Sequence, residues 1–329
     1  MEHNIKEVTV MRDLDGSDVR IWVHEFIGSE PGPTLGVIGT QHGDEWLTVS
    51  ALRHTVEQLG KEEFRGKVIV IPVANPVSLR DGVRNTQIES DAPDMNRVWP
   101  GSFTWITDLL VKALVPFVES CDALIDLHFG QWGVLMANAW WSEDLPDDKV
   151  TQQGRDMCIA FGSSVQRRAG LKHPGSGTLA AYAGIGLGIP CISGGIGGAG
   201  FGLAEEQRWI EANTTGVLNV MTQLGMRTEP MKLPDQLLHF SKTTRVHPSV
   251  GGLLLPEPEV IDLLPRVEPG QKLGVVVCPQ TFEVLETLTA PVGGWLYWTA
   301  RSYPVRPGCF AFGLAEESSA QWLPSPTTS

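Results

Sequence analysis

Apolar residues along this chain recur with two different periods, and the changeover divides it into elements. Residues 7–11 and 19–24 alternate apolar and polar, which predicts a leading β-hairpin. Residues 35–40 form the first continuous apolar run and read as a buried strand, followed by helical periodicity over 46–59 that stops at Gly60. Residues 67–73 predict a second buried strand. The polar stretch 75–101 has no period and is long for a loop, which marks it as functional. A helix over 106–119, a strand over 123–127, a helix over 150–170, a short strand over 188–193 and a helix over 203–224 capped by Gly225 complete the first part. Strand alternating with helix predicts an α/β fold, a mostly parallel sheet covered by helices. Beyond 227–234 helical periodicity is lost. Short β runs at 251–255, 272–278, 282–288, 294–299 and 309–314, joined by turns such as Pro269-Gly270 and Pro307-Gly308, predict a small C-terminal all-β domain. We therefore place a catalytic α/β domain at 1–228 and a β-rich domain at 229–329, the latter either packing over the cleft or mediating assembly into a homo-oligomer.

The first buried strand runs into Gly39-Thr40-Gln41-His42-Gly43-Asp44-Glu45-Trp46. Three residues apart, His42 and Glu45 share one side of a helical first turn, and Gly43 lets the backbone turn sharply. A capped helix start with a solvated glutamate is the plain reading of that pair. The strand 123–127 ends in His128, and functional groups in open α/β sheets gather at the carboxyl ends of parallel strands. His42, Glu45 and His128 then make a two-histidine, one-glutamate set with an open position, which suits one zinc ion and an acidified water. Asp126, on the same strand face as His128, is positioned to hold an imidazole N–H.

Composition narrows the partners. The 329 residues carry a formal net charge of −13 with scattered lysines and arginines, which argues against nucleic acid or an anionic membrane. No apolar run approaches a membrane span, and the first residues lack a signal-peptide core. The five cysteines are far apart without a Cys-x-x-Cys, as expected of reduced thiols in the cytoplasm. His24 and His173 lack paired ligands and read as ordinary polar histidines.

His42-Gly43-Asp44-Glu45, Asn75-Pro76, Arg84, Asp94-Met95-Asn96-Arg97, Pro100-Gly101 and Asp126-Leu127-His128 follow the order and spacing of the succinylglutamate desuccinylase/aspartoacylase family. The chain resembles these relatives of the zinc carboxypeptidases over essentially its whole length, and Ala290-Pro291-Val292-Gly293-Gly294 is similar to the lipoyl-type turn of their β domain. The resemblance implies one zinc on His42, Glu45 and His128, Arg84 polarising the scissile carbonyl, and Asn96 and Arg97 gripping a substrate carboxylate. The chemistry suits those roles, since a guanidinium stays charged and binds carboxylate with two parallel bonds. For Asn96 a simple turn-forming role is the alternative.

In similar deacylases the strand after the third ligand ends in Thr-x-Glu-x-Gly-Gly, whose glutamate is the general base. Here the stretch Ser193-Gly194-Gly195-Ile196-Gly197-Gly198 places Gly195 at that position. A general base is typically worth ~10²–10⁴ in rate, so another carboxylate must serve: Asp44, Glu205, Glu206, Glu143 or Asp144. Alternatively the glycines make room for a bulky substrate or form an anion-binding nest. Phe129, Trp132, Trp140, Trp141 and Trp46 lie near the ligands in sequence; they either stack on a substrate, Trp140 and Trp141 above all, or pack as core. The expected function is zinc-dependent deacylation of a small carboxylate-bearing N-acyl amino acid or related amide. The alternatives are a metal-dependent lyase, hydratase or isomerase, or a silent carboxylate-binding protein.

Overall fold

The computed structural model describes residues 1–13, 15–86, 93–170, 177–301 and 303–326. The leading hairpin is β1 (Glu2–Arg12) with β2 (Asp18–Ile27), antiparallel and bulged between Thr9 and Met11. There follow β3 (Glu30–Gly39), α1 (Leu47–Leu59), β4 (Arg65–Ile71), α2 (Pro76–Asp81), α3 (Ile106–Glu119), β5 (Ala123–Leu127), β6 (Val134–Ser142), α4 (Asp148–Phe161), β7 (Val165–Arg168), the single turn α5 (Leu179–Ala181), β8 (Cys191–Gly197) and α6 (Leu203–Gln223). The C-terminal part is almost entirely strand: β9 (Gln236–Phe240), β10 (Thr243–Val246), β11 (Gly252–Pro256), β12 (Arg266–Val267), β13 (Lys272–Val277), β14 (Val284–Thr289), β15 (Gly294–Ala300), β16 (Tyr303–Val305), β17 (Phe312–Glu316) and β18 (Gln321–Pro324).

One large mixed sheet runs β1-β2-β4-β3-β5-β8-β6-β15-β17-β10. Its centre, β4-β3-β5-β8, is parallel, whereas β2 against β4, β8 against β6 and the strands beyond β6 are antiparallel. All five residues of β5 are buried, as expected for a strand covered on both faces. One core packs α1, α4 and α6 on one face through residues such as Leu52, Met157 and Val220. A second, with Leu110 and Leu114 of α3 and Val77 of α2, covers the other. A four-stranded sheet, β14-β13-β11-β16, forms the separate all-β layer. Among the described residues no helix is long and apolar enough to cross a membrane.

Two sequence expectations differ from the structure, and one strand was not expected at all. The polar stretch after β4 holds α2, which is too short to show a period, with Pro76 at its first position and the Asn75 side chain capping Ser78 N–H at 3.0 Å. The helix expected to reach residue 170 ends at Phe161, where Gly162 adopts φ 82°, and β7 follows. The nine residues of β6 are all buried, so no alternation announces that strand.

Gly43 also has a different cause from the expected sharp turn. A Cβ on it would lie 2.1 Å from the Ser78 carbonyl carbon and oxygen and 2.4 Å from Leu79 N, so the backbone of α2 passes directly over it. The left-handed residue of this turn is Thr40, at φ 51°. We expect Gly43→Ala to push α2 off the turn and destabilise the fold by roughly 1–3 kcal/mol, the usual range for overpacking. Chemical denaturation with an unchanged m value and a lower midpoint is the check.

Candidate metal centre

β3 and β5 are adjacent and parallel, with Gly39 opposite Leu127. Each chain segment leaving these strands therefore carries its histidine to the same edge. His42 and Glu45 lie in a tight turn ahead of α1, closed by Glu45 N–H on the His42 carbonyl at 3.2 Å, and not on the helix itself. His42, Glu45 and His128 are all buried, and one ligand atom from each lies within 4.8 Å of the other two.

Both imidazoles turn Nδ1 toward the same carboxylate: His42 Nδ1 is 2.8 Å from Glu45 Oε1 and His128 Nδ1 is 2.7 Å from Glu45 Oε2. Each far nitrogen faces a second carboxylate, His42 Nε2 with Asp94 Oδ1 at 2.8 Å and His128 Nε2 with Asp126 Oδ2 at 3.0 Å. Outer carboxylates of this kind fix the tautomer and orientation of metal-binding histidines. Asp126 is in turn held by Gln41 Nε2 at 2.6 Å, Asn96 Nδ2 at 2.9 Å and Ser193 Oγ at 3.1 Å, while Trp99 Nε1 donates to Gln41 Oε1 at 2.8 Å. Arg84 bridges the cluster, donating to Glu45 Oε1 at 3.2 Å and Asp94 Oδ2 at 3.0 Å.

The electrostatics follow from this crowding. Burial alone would lower the pKa of His128, but Asp126 and Glu45 overcome it and raise it well above the ordinary value; His42 is raised in the same sense by Glu45 and Asp94. Burial would raise Glu45, yet the two histidines hold it well below the carboxylate range, and Asp94 and Asp126 are lowered against burial too. Three carboxylates, Glu45, Asp94 and Asp126, are set against Arg84, which bridges Glu45 and Asp94, and the charge of Arg97 on Asp94, so neutral imidazoles would leave an excess of negative charge in a buried place. The donor set and that charge both fit a divalent cation.

The cluster opens into a cavity of ≈ 330 Å³, also lined by Arg84, Asn96, Arg97, Trp140 and Ser193. Arg97 is exposed on this wall, with one N–H on the Asn96 carbonyl at 2.6 Å. The Asn96 amide is committed at both ends, its nitrogen to Asp126 and its oxygen to Leu179 N–H at 2.8 Å, so Asn96 braces the site more than it faces the cavity. Trp141 does not reach the cavity: it is packed in the core, while Trp140 forms the wall. Trp46 and Trp132 stack on each other, ring centres 6.0 Å apart, at the surface.

Four of the five carboxylates considered for proton transfer lie elsewhere. Glu205 is exposed and paired with Arg208. Glu206 accepts the N–H groups of Gly200 and Phe201 at 2.6 and 3.0 Å, stitching the start of α6. Glu143 pairs with Arg167 at 3.1 Å, and Asp144 accepts Gly170 N–H. Only Asp44 feels the cluster: burial, then the charge of Glu45, pushes its pKa up to about 6, opposed by Arg84. Gly195 does not face the cluster either. A Cβ there would meet the His128 carbonyl oxygen at 2.0 Å and Asn213 Oδ1 of α6 at 3.0 Å, whereas Ser193 and Gly194 line the cavity. His173 and residues 87–92 lie outside the described residues.

Asp94 was within the sequence motif but carried no assigned role there, and Gln41 and Trp99 gave no signal at all. Arg168, Arg245, Tyr297, Trp298 and Phe310 complete the cavity from β7 and the C-terminal strands. Nothing in the linear sequence brings those five to His42.

Comparison with known proteins agrees with this architecture. The succinylglutamate desuccinylase/aspartoacylase catalytic-domain model matches residues 31–224. An N-alpha-acetyl-L-2,4-diaminobutyric acid deacetylase from Halomonas elongata is 35% identical over 137 residues, which are 40% of this chain and only 39% of that protein's length. The product-bound ectoine utilization protein of Ruegeria pomeroyi superposes with a TM-score of 0.79 at 20% identity, covering 96% of this chain and 95% of that one. A succinylglutamate desuccinylase/aspartoacylase from Rhodobacter sphaeroides gives 0.78 at 19% identity, covering 95% of both chains. A metallo-carboxypeptidase from Burkholderia cenocepacia gives 0.51 at 14% identity over 67% of this chain and 65% of its own. The fold is thus zinc-carboxypeptidase-like with an added all-β layer. With the catalytic-domain model matched from residue 31 to residue 224 of 329, the chain belongs to the succinylglutamate desuccinylase/aspartoacylase family.

Proposed function

We propose that the protein is a zinc-dependent deacylase that hydrolyses the amide of a small carboxylate-bearing N-acyl amino acid. The observation that carries this reading is the buried His42-Glu45-His128 set, with each imidazole backed by its own carboxylate, at the edge of a cavity walled by arginines. The family membership and the deacetylase relative support it. Bound on His42 Nδ1, His128 Nδ1 and Glu45, zinc would supply Lewis acidity and a water of lowered pKa.

The chain's own residues supply the remainder. Arg84 has five N–H donors, and its bonds to Glu45 and Asp94 leave others for charge developing on a carbonyl oxygen. Arg97 offers a planar fork to the substrate carboxylate, and Asn96 positions it through the neighbouring backbone. Asp44 is our choice of proton carrier for the amine leaving group, because it is half-buried next to Glu45 and is the candidate carboxylate in electrostatic contact with the cluster.

Three outcomes test this reading. Purified protein should contain one zinc per chain and hydrolyse N-acyl amino acids. Chelation should abolish that activity and added zinc restore it; an active metal-free protein, or a zinc-loaded one inert toward every N-acyl amino acid, removes the proposal. Arg97→Lys should raise KM for carboxylate substrates by about tenfold or more with kcat and thermal stability little changed, since lysine lacks the fork; equal turnover of free-carboxylate and carboxamide forms by the wild type would deny the anchor. Gly195→Glu should lower the melting temperature without increasing amide hydrolysis, because its Cβ would overlap the His128 carbonyl. A gain in hydrolysis from that substitution would show that the strand can turn a side chain to the cluster.

A further inference from the structure

A second cavity lies on the opposite face of the strands that wall the first. β6, β7, β9 and β18 run side by side there, with Trp141 paired to Arg167, Val165 to His239 and His239 to Gln321. Paired residues put their side chains on one face, and Val165 and Arg167 share that face by strand alternation. Their chain neighbours Trp140 and Arg168 line the cavity of the His42-Glu45-His128 cluster instead. The two cavities therefore stand back to back across β6 and β7. The rear one encloses ≈ 330 Å³ among Trp141, Arg167, His239, Ser241 and Gln321, and Arg155 reaches it from α4.

This rear wall collects cations in a chain of net charge −13. Arg155, Arg167 and His239 line it, and among the described residues no aspartate or glutamate does. Arg155 has no carboxylate within ion-pair distance among the described residues. Arg167 meets Glu143 through Nε at 3.1 Å, and a guanidinium carries four further N–H donors. His239 is half-buried, and burial, then the charge of Arg155, lowers its pKa, which leaves the ring neutral at pH 7 with one N–H to give. Ser241 and Gln321 add neutral donors to the same wall. Positive groups brought together beside a half-buried ring carry a cost that an anion between them would offset.

The geometry points to the rear cavity as a binding site for a phosphoryl group, either inorganic phosphate or the phosphate of a monoester, held by Arg155, Arg167 and His239. Its donors come from three elements, α4, β7 and β9, and so approach an anion from separate directions. A tetrahedral phosphoryl group offers three strong acceptor oxygens to such donors, whereas a carboxylate offers two in one plane. Two guanidiniums also match its charge of nearly −2 at neutral pH. The site is independent of the deacylase reading and shares none of its residues. An anion there would tie α4 to β7 and β9 directly behind Trp140 and Arg168.

Calorimetric titration of the full chain with inorganic phosphate, at fixed pH and ionic strength, tests the site without any turnover. Phosphate should bind saturably and at least about tenfold more tightly than acetate. Arg155→Gln and Arg167→Gln should each weaken that binding by about tenfold or more, the lower range of charge-assisted hydrogen bonds. Arg97→Gln, on the other side of the sheet, should leave it unchanged. Both rear arginines are exposed, so their replacement spares the core. A rise in melting temperature with phosphate, present in the wild type and lost in both rear variants, is the second readout. Absence of saturable binding, or acetate binding as tightly as phosphate, overturns the proposal. So does phosphate binding that survives Arg155→Gln and Arg167→Gln but disappears in Arg97→Gln, which would put the anion in the cavity of the metal centre.

Discussion

The Glu45 carboxylate, held between two imidazoles, is the interaction around which the rest of the site is arranged. Its oxygens lie 2.8 and 2.7 Å from His42 Nδ1 and His128 Nδ1 in a buried setting. Ionised groups are costly to bury unless they are paired and hydrogen-bonded. The surroundings meet that demand in layers: Asp94 and Asp126 behind the histidines, Arg84 across the front, then Gln41, Asn96, Ser193 and Trp99 behind Asp126. Such a network is expensive when incomplete, since one unpaired member leaves a buried charge. The arrangement is consistent with a site built to hold a cation rigidly.

The sheet makes that arrangement possible. Parallel pairing of β3 with β5 fixes the distance between the two turns that carry His42, Glu45 and His128, and α2 packs so closely on Gly43 that the first turn has little freedom. Antiparallel β6 then links the α/β part to β15, and through β17 to β10. The C-terminal strands thereby become a wall of the same cavity that contains His42, Glu45 and His128. The His42-Glu45-His128 cluster and the far wall of the cavity thus come from different parts of one continuous sheet.

The cluster of His42, Glu45 and His128 was legible in the sequence because these residues follow apolar runs at two strand ends, where donor type and position point the same way. Asp126 could be placed beside His128 by the alternation of a strand. The rest was hidden for physical reasons. α2 is shorter than two turns and leaves no period; β6 is buried throughout and so lacks alternation. Trp140 and Trp141, neighbours in sequence, point to opposite faces of that strand, one to the cavity and one to the core. Gly195 matched a motif position, but the path of β8 beside His128 and α6 turns it away from the cluster. Arg168 and Arg245 are seventy-seven residues apart and meet only through sheet pairing, which no local pattern encodes.

The central claim is that Glu45 and the two histidines bind one ion directly, through Nδ1 of each ring. Anomalous diffraction at the zinc edge on crystals of the zinc-loaded protein tests it most directly. The account predicts a single strong peak at ~2.0–2.2 Å from His42 Nδ1, His128 Nδ1 and a Glu45 oxygen, with Asp94 and Asp126 still bonded to the far ring nitrogens. A peak elsewhere, or no ordered zinc at this cluster under saturating metal, would contradict it.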